Sequence, residues 1–288
     1  MQRNGKTSKW TELLNIALDP YYIFQMSITC SLVTPTYNWP EALELLLLSV
    51  KRQRVLPDEV IIADDGSTEK TLELIKKYQK DFPVPLIHVW HEDQGNRKPA
   101  IMNKAIAKAK YDYILEIDGD IILHKNFVED HLSMAEEGVY LFGSRVNIQE
   151  NHLESLFKNK QIDFNYFSTG IKKRNRTLRL PFLANRAKKK TQRSGKLRGC
   201  NMSFWRADFI AVNGFNEELV GWGIDDSELI QRMINNGVLG KRIKHKGIVY
   251  HIYHKEQDKS QVHLNLEIEK QMERSGTTYA NKGVDQYL

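Results

Sequence analysis

The chain has 288 residues, 41% of them hydrophobic, which is enough for one large or two modest domains with a sizeable core. Its two cysteines, Cys30 and Cys200, exclude a disulfide framework and a four-thiolate zinc site. The most apolar stretch, Leu43 to Val50, is far shorter than the roughly 20 residues of a spanning helix, so we expect no transmembrane segment and no signal peptide. The composition favours a cytoplasmic protein, with peripheral contact at the inner face of the membrane as an open alternative.

The net charge of +6 is concentrated in residues 172–196, a segment with eleven Lys and Arg and no Asp or Glu. The rest of the chain is net acidic, so its basicity is local. The segment favours a solvated, mobile loop, and contact with anionic lipid, a phosphate-bearing substrate or nucleic acid is the alternative. Nucleic acid is the least favoured partner, because Phe182 is the only aromatic residue in the segment.

Short β-rich apolar runs alternate with amphipathic stretches of helical length from about residue 27 to residue 120. The predicted strands are SITCSLVT, DEVIIAD, PLIHVWH and YDYILEID. The predicted helices between them are PEALELLLLSVKRQ, EKTLELIKKYQKDF and KPAIMNKAIAKAK. This alternation predicts βαβ units and a mainly parallel sheet.

Three of these strands end in polar, turn-forming residues, at Thr34–Asn38, Asp64–Ser67 and Asp118–Asp120. The carboxyl ends of parallel strands share one edge of a sheet, so we expect these residues to converge. Asp118 and Asp120 follow a buried run, where an isolated carboxylate is costly unless it is paired or binds a cation. The sequence therefore predicts a positive partner at this edge.

The regular alternation fades after Asp120. We predict a helix near Asn126–Glu137, a helix SELIQRMINNG that ends at Gly237, and a C-terminal helix QVHLNLEIEKQMERSG followed by a mobile tail. Near the N-terminus the amphipathic piece KWTELLNIALDPYYIF is a docking or an interfacial helix.

Taken together, IIADDGST, IDGD and GWGIDDSEL resemble the motifs of the GT-A-fold glycosyltransferases, family 2 in particular, with an acceptor motif like that of the β-1,4-galactosyltransferases. The resemblance covers about Ile28 to His254. It implies an α/β fold with a Rossmann-like, mainly parallel sheet flanked by helices. It also implies an N-terminal extension (1–25), a nucleotide-sugar-binding half (26–120), an acceptor-binding half (121–255) and a C-terminal helix and tail (256–288).

The resemblance places the donor nucleotide against the first two strand ends. Thr34, Pro35 and Tyr37 would lie near the base or ribose, and Asp65 would accept from the uracil N–H. The alternative is that Asp64 and Asp65 cap the helix that begins near Thr68, and Asp64 in particular is a candidate for a structural role.

Arg97 or Lys98, at the start of the next helix, would lie near the diphosphate or ribose, and we assign Arg97 to this role.

The resemblance also assigns metal contact to Asp120, with Asp118 reaching the ribose, or the metal through water. His251 would be the third protein ligand, and His254 is the alternative. Because manganese accepts imidazole better than magnesium does, we expect Mn²⁺ first and Mg²⁺ second. The metal would neutralise charge on the departing diphosphate.

GWGIDDSEL carries the expected acceptor chemistry. By resemblance Trp222 stacks on a sugar ring, Asp226 is the general base for the attacking hydroxyl, and Asp225 binds an acceptor hydroxyl. The galactosyltransferases have Glu-Asp where this chain has Asp225-Asp226, a change that bears on acceptor identity. The alternative for both residues is the N-cap of the helix that follows.

The implied function is an inverting, metal-dependent transfer of a sugar from a UDP-sugar to a carbohydrate or lipid-linked acceptor hydroxyl, in surface polysaccharide synthesis. Two other readings remain open at this point. One is a nucleotidyltransferase, and the other is a non-catalytic protein that binds a nucleotide sugar or an anionic polymer.

Overall fold

The computed structural model describes residues 28–219, 223–255 and 262–288. The amphipathic N-terminal piece and Trp222 lie outside the described residues. Within those ranges, no helix combines the length and the apolar composition that crossing a bilayer requires.

Strands and helices alternate through the first half, as the sequence predicts. The strands are β1 (Cys30–Thr36), β2 (Glu59–Asp64), β3 (Leu86–Trp90), β4 (Tyr113–Glu116), β5 (Ile121–Leu123), β6 (Val139–Phe142), β7 (Ser144–Ile148), β8 (Ile171–Lys172), β9 (Lys189–Lys190), β10 (Met202–Trp205), β11 (Leu239–Arg242) and β12 (Ile248–His251). The helices are α1 (Pro40–Lys51), α2 (Glu69–Gln79), α3 (Lys98–Ala107), α4 (Phe127–Leu132), α5 (Leu153–Lys158), α6 (Pro181–Ala184), α7 (Arg206–Ala211), α8 (Asp225–Asn235) and α9 (Val262–Ser275).

The large sheet has the strand order β3-β2-β1-β4-β10-β6-β11-β9. Strands β1 to β4 are mutually parallel where they pair, which confirms the predicted βαβ arrangement. Strand β10 is antiparallel to both β4 and β6, and β11 is parallel to β6. The carboxyl ends of β1, β2, β4, β6 and β11 therefore all lie at one edge of the sheet.

A small sheet of order β5-β12-β7-β8 packs beside this edge. In it, β12 is antiparallel to β5 and parallel to β7. This pairing brings the end of β12, at His251, next to the start of β5, at Ile121.

Successive residues of β1 face opposite sides of the large sheet and contribute to two hydrophobic cores. Leu32 belongs to the core that includes Leu43 and Leu46 of α1, and Val33 belongs to the core that includes Ile101 of α3. Because both faces are covered, the central strands are continuous apolar runs.

The basic segment 172–196 is largely exposed, as expected of a solvated loop, but it is anchored to the protein at specific points. The guanidinium of Arg179 forms a bidentate ion pair with the buried carboxylate of Asp130, and Lys189 pairs with Glu136. Strand β9 within the segment extends the large sheet by pairing with β11. Specific acidic partners therefore anchor a segment that is otherwise largely exposed.

The C-terminal tail is also packed, in contrast to the mobile tail that the sequence suggested. Val284 is fully buried, and the side chain of Asn213 bonds the backbone of Ala280 and Asp285. The ring of Tyr287 lies under the ammonium of Lys104 of α3. The tail thus supports the helix that carries Lys98 at its first position.

Candidate active site

Asp120, His251 and His254 form a cluster where the two sheets meet. The Nε2 atoms of His251 and His254 lie 3.3 Å and 3.2 Å from Asp120 Oδ2. The candidate ligand atoms of the three residues are all within 4.8 Å of one another. The cluster is positioned by the backbone, since the Ile252 N–H donates to the carbonyl oxygen of Asp120 at 2.9 Å. The sequence offered the two histidines as alternatives, whereas the structure brings both to Asp120.

The other carboxylate oxygen of Asp120, Oδ1, is buried and has no hydrogen-bond partner among the described residues. A buried acceptor left unpaired destabilises the fold, and a cation would satisfy it. One carboxylate and two imidazoles form a donor set that suits Mn²⁺ better than Mg²⁺. These residues therefore fit a divalent metal ion.

The two histidines differ in protonation. The hydrogen bond with Asp120 raises the pKa of His254 to about 9, and burial lowers the pKa of His251. Of the two histidines, His254 therefore favours its charged form beside Asp120, and His251 favours its neutral form.

The ammonium group of Lys98 joins three carboxylates next to this cluster. Its Nζ lies 3.3 Å from Asp118 Oδ1, 3.4 Å from Asp225 Oδ2 and 3.4 Å from Asp226 Oδ1. Burial acts to lower the pKa of Lys98, but the carboxylates raise it well above its ordinary value. Burial also disfavours the charged form of Asp118, yet Lys98 holds the pKa of Asp118 below its ordinary value. Lys98 therefore stays charged and orients the acids around it.

Asp226 is held on both oxygens. Lys98 contacts Oδ1, and the Gly199 N–H donates to Oδ2 at 2.9 Å. A β-carbon on residue 199 would lie 1.9 Å from Oδ2, so this approach requires glycine. Burial raises the pKa of Asp226 to about 7, with Lys98 opposing the shift and Asp225 adding to it. A carboxylate that titrates near neutral pH is well matched to general base catalysis.

Helix α8 begins at Asp225, with Ile224 as its N-cap and no side-chain hydrogen bond at the cap. The structure thus does not use Asp225 or Asp226 as the N-cap. Trp222, the expected acceptor platform, lies outside the described residues.

Glu116, which the sequence interpretation missed, lies buried beside these acids. It is 1% exposed, and neither of its carboxyl oxygens has a hydrogen-bond partner in the described part of the chain. Burial raises the pKa of Glu116 well above its ordinary value, which favours the neutral form of this acid. The signal was present in the sequence as a glutamate inside the apolar run YILEI.

Asp64 and Asp65 separate into different environments at the end of β2. Asp64 accepts from the Ser67 N–H at 2.8 Å and lies 2.9 Å from His88 Nε2. Asp64 thus stabilises the turn, as the structural alternative expected, and the N-cap of α2 at Thr68 has no side-chain cap bond.

Asp65 is buried at the carboxyl end of β2 and bridges two elements. His91 Nε2 lies 2.6 Å from its Oδ1, and the Arg97 N–H donates to its Oδ2 at 2.9 Å. The side chain of Arg97 points elsewhere, because its guanidinium donates to the carbonyl of Glu92. The structure thus places the side chain of Lys98, not that of Arg97, among Asp118, Asp225 and Asp226.

The TPTYN loop places its residues at different depths. Thr34 is fully buried inside β1, so its side chain is not available to a nucleotide, contrary to expectation. Pro35 is partly exposed, and Tyr37 is exposed and donates to Asp93 at 2.9 Å. A β-carbon on Gly119 would lie 2.3 Å from the Pro35 carbonyl oxygen, which explains the glycine between the two aspartates.

Two family models match the chain. Residues 31–203 match "Glycosyl transferase family 2", and residues 180–255 match "N-terminal domain of galactosyltransferase". The chain is 26% identical over 265 residues to chondroitin synthase of Escherichia coli, an alignment covering 81% of this chain and 36% of that protein. The chain thus spans well under half of the length of this relative.

Two solved structures have the same fold. S. aureus TarS 1–349 in complex with UDP-GlcNAc gives a TM-score of 0.60 at 16% identity, covering 90% of this chain and 69% of that one. GalNAc-T7 with UDP, GalNAc and Mn²⁺ gives a TM-score of 0.59 at 17% identity, covering 80% of this chain and 44% of that one. These likenesses confirm the expected GT-A fold.

Proposed function

The chain belongs to glycosyl transferase family 2, and from this premise we propose that it is a metal-dependent, inverting glycosyltransferase. It moves a sugar from a UDP-sugar to a hydroxyl of a carbohydrate or lipid-linked acceptor. The observation that carries the proposal is the position of Lys98. One ammonium group contacts Asp118 on the expected donor side and Asp226 on the expected acceptor side, each within 3.4 Å. A donor-binding acid and a candidate base therefore lie within reach of one reaction centre.

Asp226 acts as the general base. Its carboxylate takes the proton of the attacking acceptor hydroxyl, the acceptor oxygen bonds to the anomeric carbon, and the bond to the diphosphate breaks with its electrons leaving on UDP. Because Gly199 and Lys98 fix both oxygens, the base is oriented before substrate binds. One base opposite the leaving group corresponds to a single displacement with inversion.

On the donor side, we assign Pro35, Tyr37 and Asp65 to the base and ribose. Asp65 retains acceptor capacity for the uracil N–H beyond its two contacts, because a carboxylate offers about four lone-pair sites. Asp118 is assigned to the ribose. The UDP-GlcNAc complex of the structural neighbour TarS supports the choice of a UDP-sugar as donor.

Asp120, His251 and His254 are assigned to a divalent metal, with Mn²⁺ preferred. When bound, such an ion supplies Lewis-acid neutralisation of the charge that develops on the diphosphate. The Mn²⁺ in the GalNAc-T7 structure and the unpaired Oδ1 of Asp120 support this assignment.

We assign Asp225 to an acceptor hydroxyl and retain Trp222 as the sugar platform. We also propose action on a surface polysaccharide in the cytoplasm, with peripheral contact at the inner face of the membrane as the alternative. Fractionation of cells that express the tagged protein tests the location, and recovery of the protein outside the cytoplasm would contradict it.

The decisive experiment measures UDP release from a panel of UDP-sugars with Mn²⁺, with and without oligosaccharide acceptors. We expect metal-dependent release by the wild type and its loss in Asp120→Ala. Asp226→Asn should still bind UDP and Mn²⁺ but lose acceptor-dependent transfer. Asp81→Asn, at an exposed residue paired with Lys51, is the matched control and should behave like the wild type. A wild type that binds UDP yet turns over none of the donors contradicts the proposal.

A further inference from the structure

A basic cavity of about 230 Å³ lies between β9 and the carboxyl ends of β6 and β11. Its walls include Lys188, Lys190, Lys196 and Arg242, together with the aromatic ring of Tyr140. No Asp or Glu is among its lining residues in the described part of the chain. The cavity therefore concentrates positive charge with no acidic residue in its walls.

The short strand β9 directs alternate lysines to opposite sides. Lys188 and Lys190 line the cavity, whereas Lys189 between them points away and pairs with Glu136. Within the described ranges, no carboxylate lies at ion-pair distance from Lys188, Lys190 or Lys196. The lysine on the far side is thus neutralised, and those in the cavity are available to a ligand.

The cavity lies at the same sheet edge as the candidate active site. Four neighbouring strands, β4, β10, β6 and β11, carry a row of residues paired in register, which are Glu116, Met202, Phe142 and Arg242. At about 4.8 Å per strand, Arg242 is about 14 Å from Glu116 along this row. The residues of the cavity also continue directly into the site, because Lys196 precedes Gly199, the donor to Asp226, by only three positions.

Two buried hydrogen-bond donor atoms in the cavity walls, the Tyr140 hydroxyl and Arg242 Nε, have no partner among the described residues. Tyr140 is fully buried, and its hydroxyl makes no hydrogen bond with the described residues. Arg242 donates from Nη2 to Ser144 Oγ at 2.8 Å, while its buried Nε has no partner in the same part of the chain. Unpaired buried donors destabilise a fold, and an anionic ligand is a partner that would satisfy them.

We propose that this cavity is an acceptor subsite that binds a carboxylate or phosphate group of an anionic acceptor chain, a few sugar units from the reacting hydroxyl. The proposal rests on the glycosyltransferase function and adds the chemical class of the acceptor. The four cations recognise the charge, and the position on the sheet edge lets the chain extend from the subsite to Asp226.

The test compares three acceptors of equal length, a glucuronate-containing oligosaccharide, a polyol-phosphate oligomer and a neutral oligosaccharide. The variants are Lys188→Ala/Lys190→Ala and the control Lys189→Ala, which lies on the opposite side of the same strand. We expect the double variant to raise the KM for an anionic acceptor about tenfold or more, with kcat and acceptor-independent donor hydrolysis unchanged. Lys189→Ala should change that KM less than about twofold, as expected for an exposed ion pair.

The two acidic acceptors show whether the subsite prefers a carboxylate or a phosphate, because the double variant should raise the KM more for the preferred acceptor. An equal effect on the neutral acceptor, or no effect of the double variant on either acidic one, overturns the subsite. Calorimetric titration with the same acidic oligomers tests it independently of turnover. If no UDP-sugar is turned over, the proposed function fails, but weaker binding in the double variant than in Lys189→Ala still supports an anion site, and equal binding overturns it.

Discussion

The carboxyl edge of the large sheet carries two groups of acidic side chains, and the groups differ in what offsets their negative charge. Around Asp226, the fixed ammonium of Lys98 contacts three carboxylates and supplies the positive charge from the chain itself. Around Asp120, two imidazoles share one carboxylate oxygen and the other oxygen has no partner in the described structure. The first group has a fixed cation built into the chain, and the second has an open coordination position. We therefore expect defects in the first group to persist at any metal concentration, and defects in the second to respond to added metal.

The largest effect is expected from Asp226→Asn. The amide cannot accept the proton of the acceptor hydroxyl, so kcat for transfer should fall by about 10²- to 10⁴-fold. Raising Mn²⁺ should not restore it. Above pH 7 the variant should be at least as stable to heat as the wild type. Burial raises the pKa of the Asp226 carboxyl to about 7, so the wild type holds a disfavoured buried charge at that pH, and the amide removes it. Steady-state transfer rates and thermal melting measure the two effects, and transfer near the wild-type rate would exclude Asp226 as the base.

Gly199→Ala tests the same group without changing any acidic residue. Its β-carbon would occupy the position of Asp226 Oδ2, so the carboxylate must move, and a displacement of about 1 Å costs on the order of 10²-fold in rate. Gly195→Ala is the matched control, because a β-carbon there meets no atom within 4 Å. Similar transfer rates for the two variants would show that the Gly199 contact does not orient the base.

The sequence predicts the meeting of Asp118 with Asp120 more directly than it predicts their meeting with Asp225 and Asp226. Asp118 and Asp120 follow a parallel strand, and the convergence of parallel strand ends is a general property of such sheets, so their shared edge could be predicted. Asp225 and Asp226 join them because β10, β6 and β11 extend the same sheet. That extension was not predicted, since these strands are short and β10 enters antiparallel.

Finer features depend on local rotation and on long-range pairing. Arg97 is the N-cap of α3 and has non-helical backbone dihedrals, and its side chain bonds the Glu92 carbonyl. Lys98, the first residue of the helix, instead directs its ammonium group to Asp118. The fold of the basic segment depends on Asp130 and Glu136, acids that lie 35 or more residues before it and leave no local pattern within it.

The metal-side group is tested by His254→Ala and His251→Ala. Each removes one candidate metal ligand, so the Mn²⁺ concentration for half-maximal activity should rise at least about 10-fold, the lower end of the cost of losing even an outer-shell partner. At saturating Mn²⁺, transfer should recover, unlike in Asp226→Asn. Metal titrations of activity and calorimetric Mn²⁺ binding measure the shift. An unchanged metal requirement in both variants would remove the histidines from the site.

The smallest expected effect is a shift in the midpoint of the pH profile of kcat/KM. Because burial raises the pKa of Asp226 to about 7 and the base acts as its carboxylate, kcat/KM should rise with pH and level off above about pH 7, falling about tenfold per unit below it. Lys98 lowers this pKa, so Lys98→Gln should move the midpoint to higher pH. Asp225 raises it, so Asp225→Asn should move the midpoint to lower pH, whatever its effect on acceptor affinity. Shifts of opposite sign for two neighbours of one carboxylate identify Asp226 as the titrating group, whereas a midpoint that neither variant moves assigns the profile to another residue.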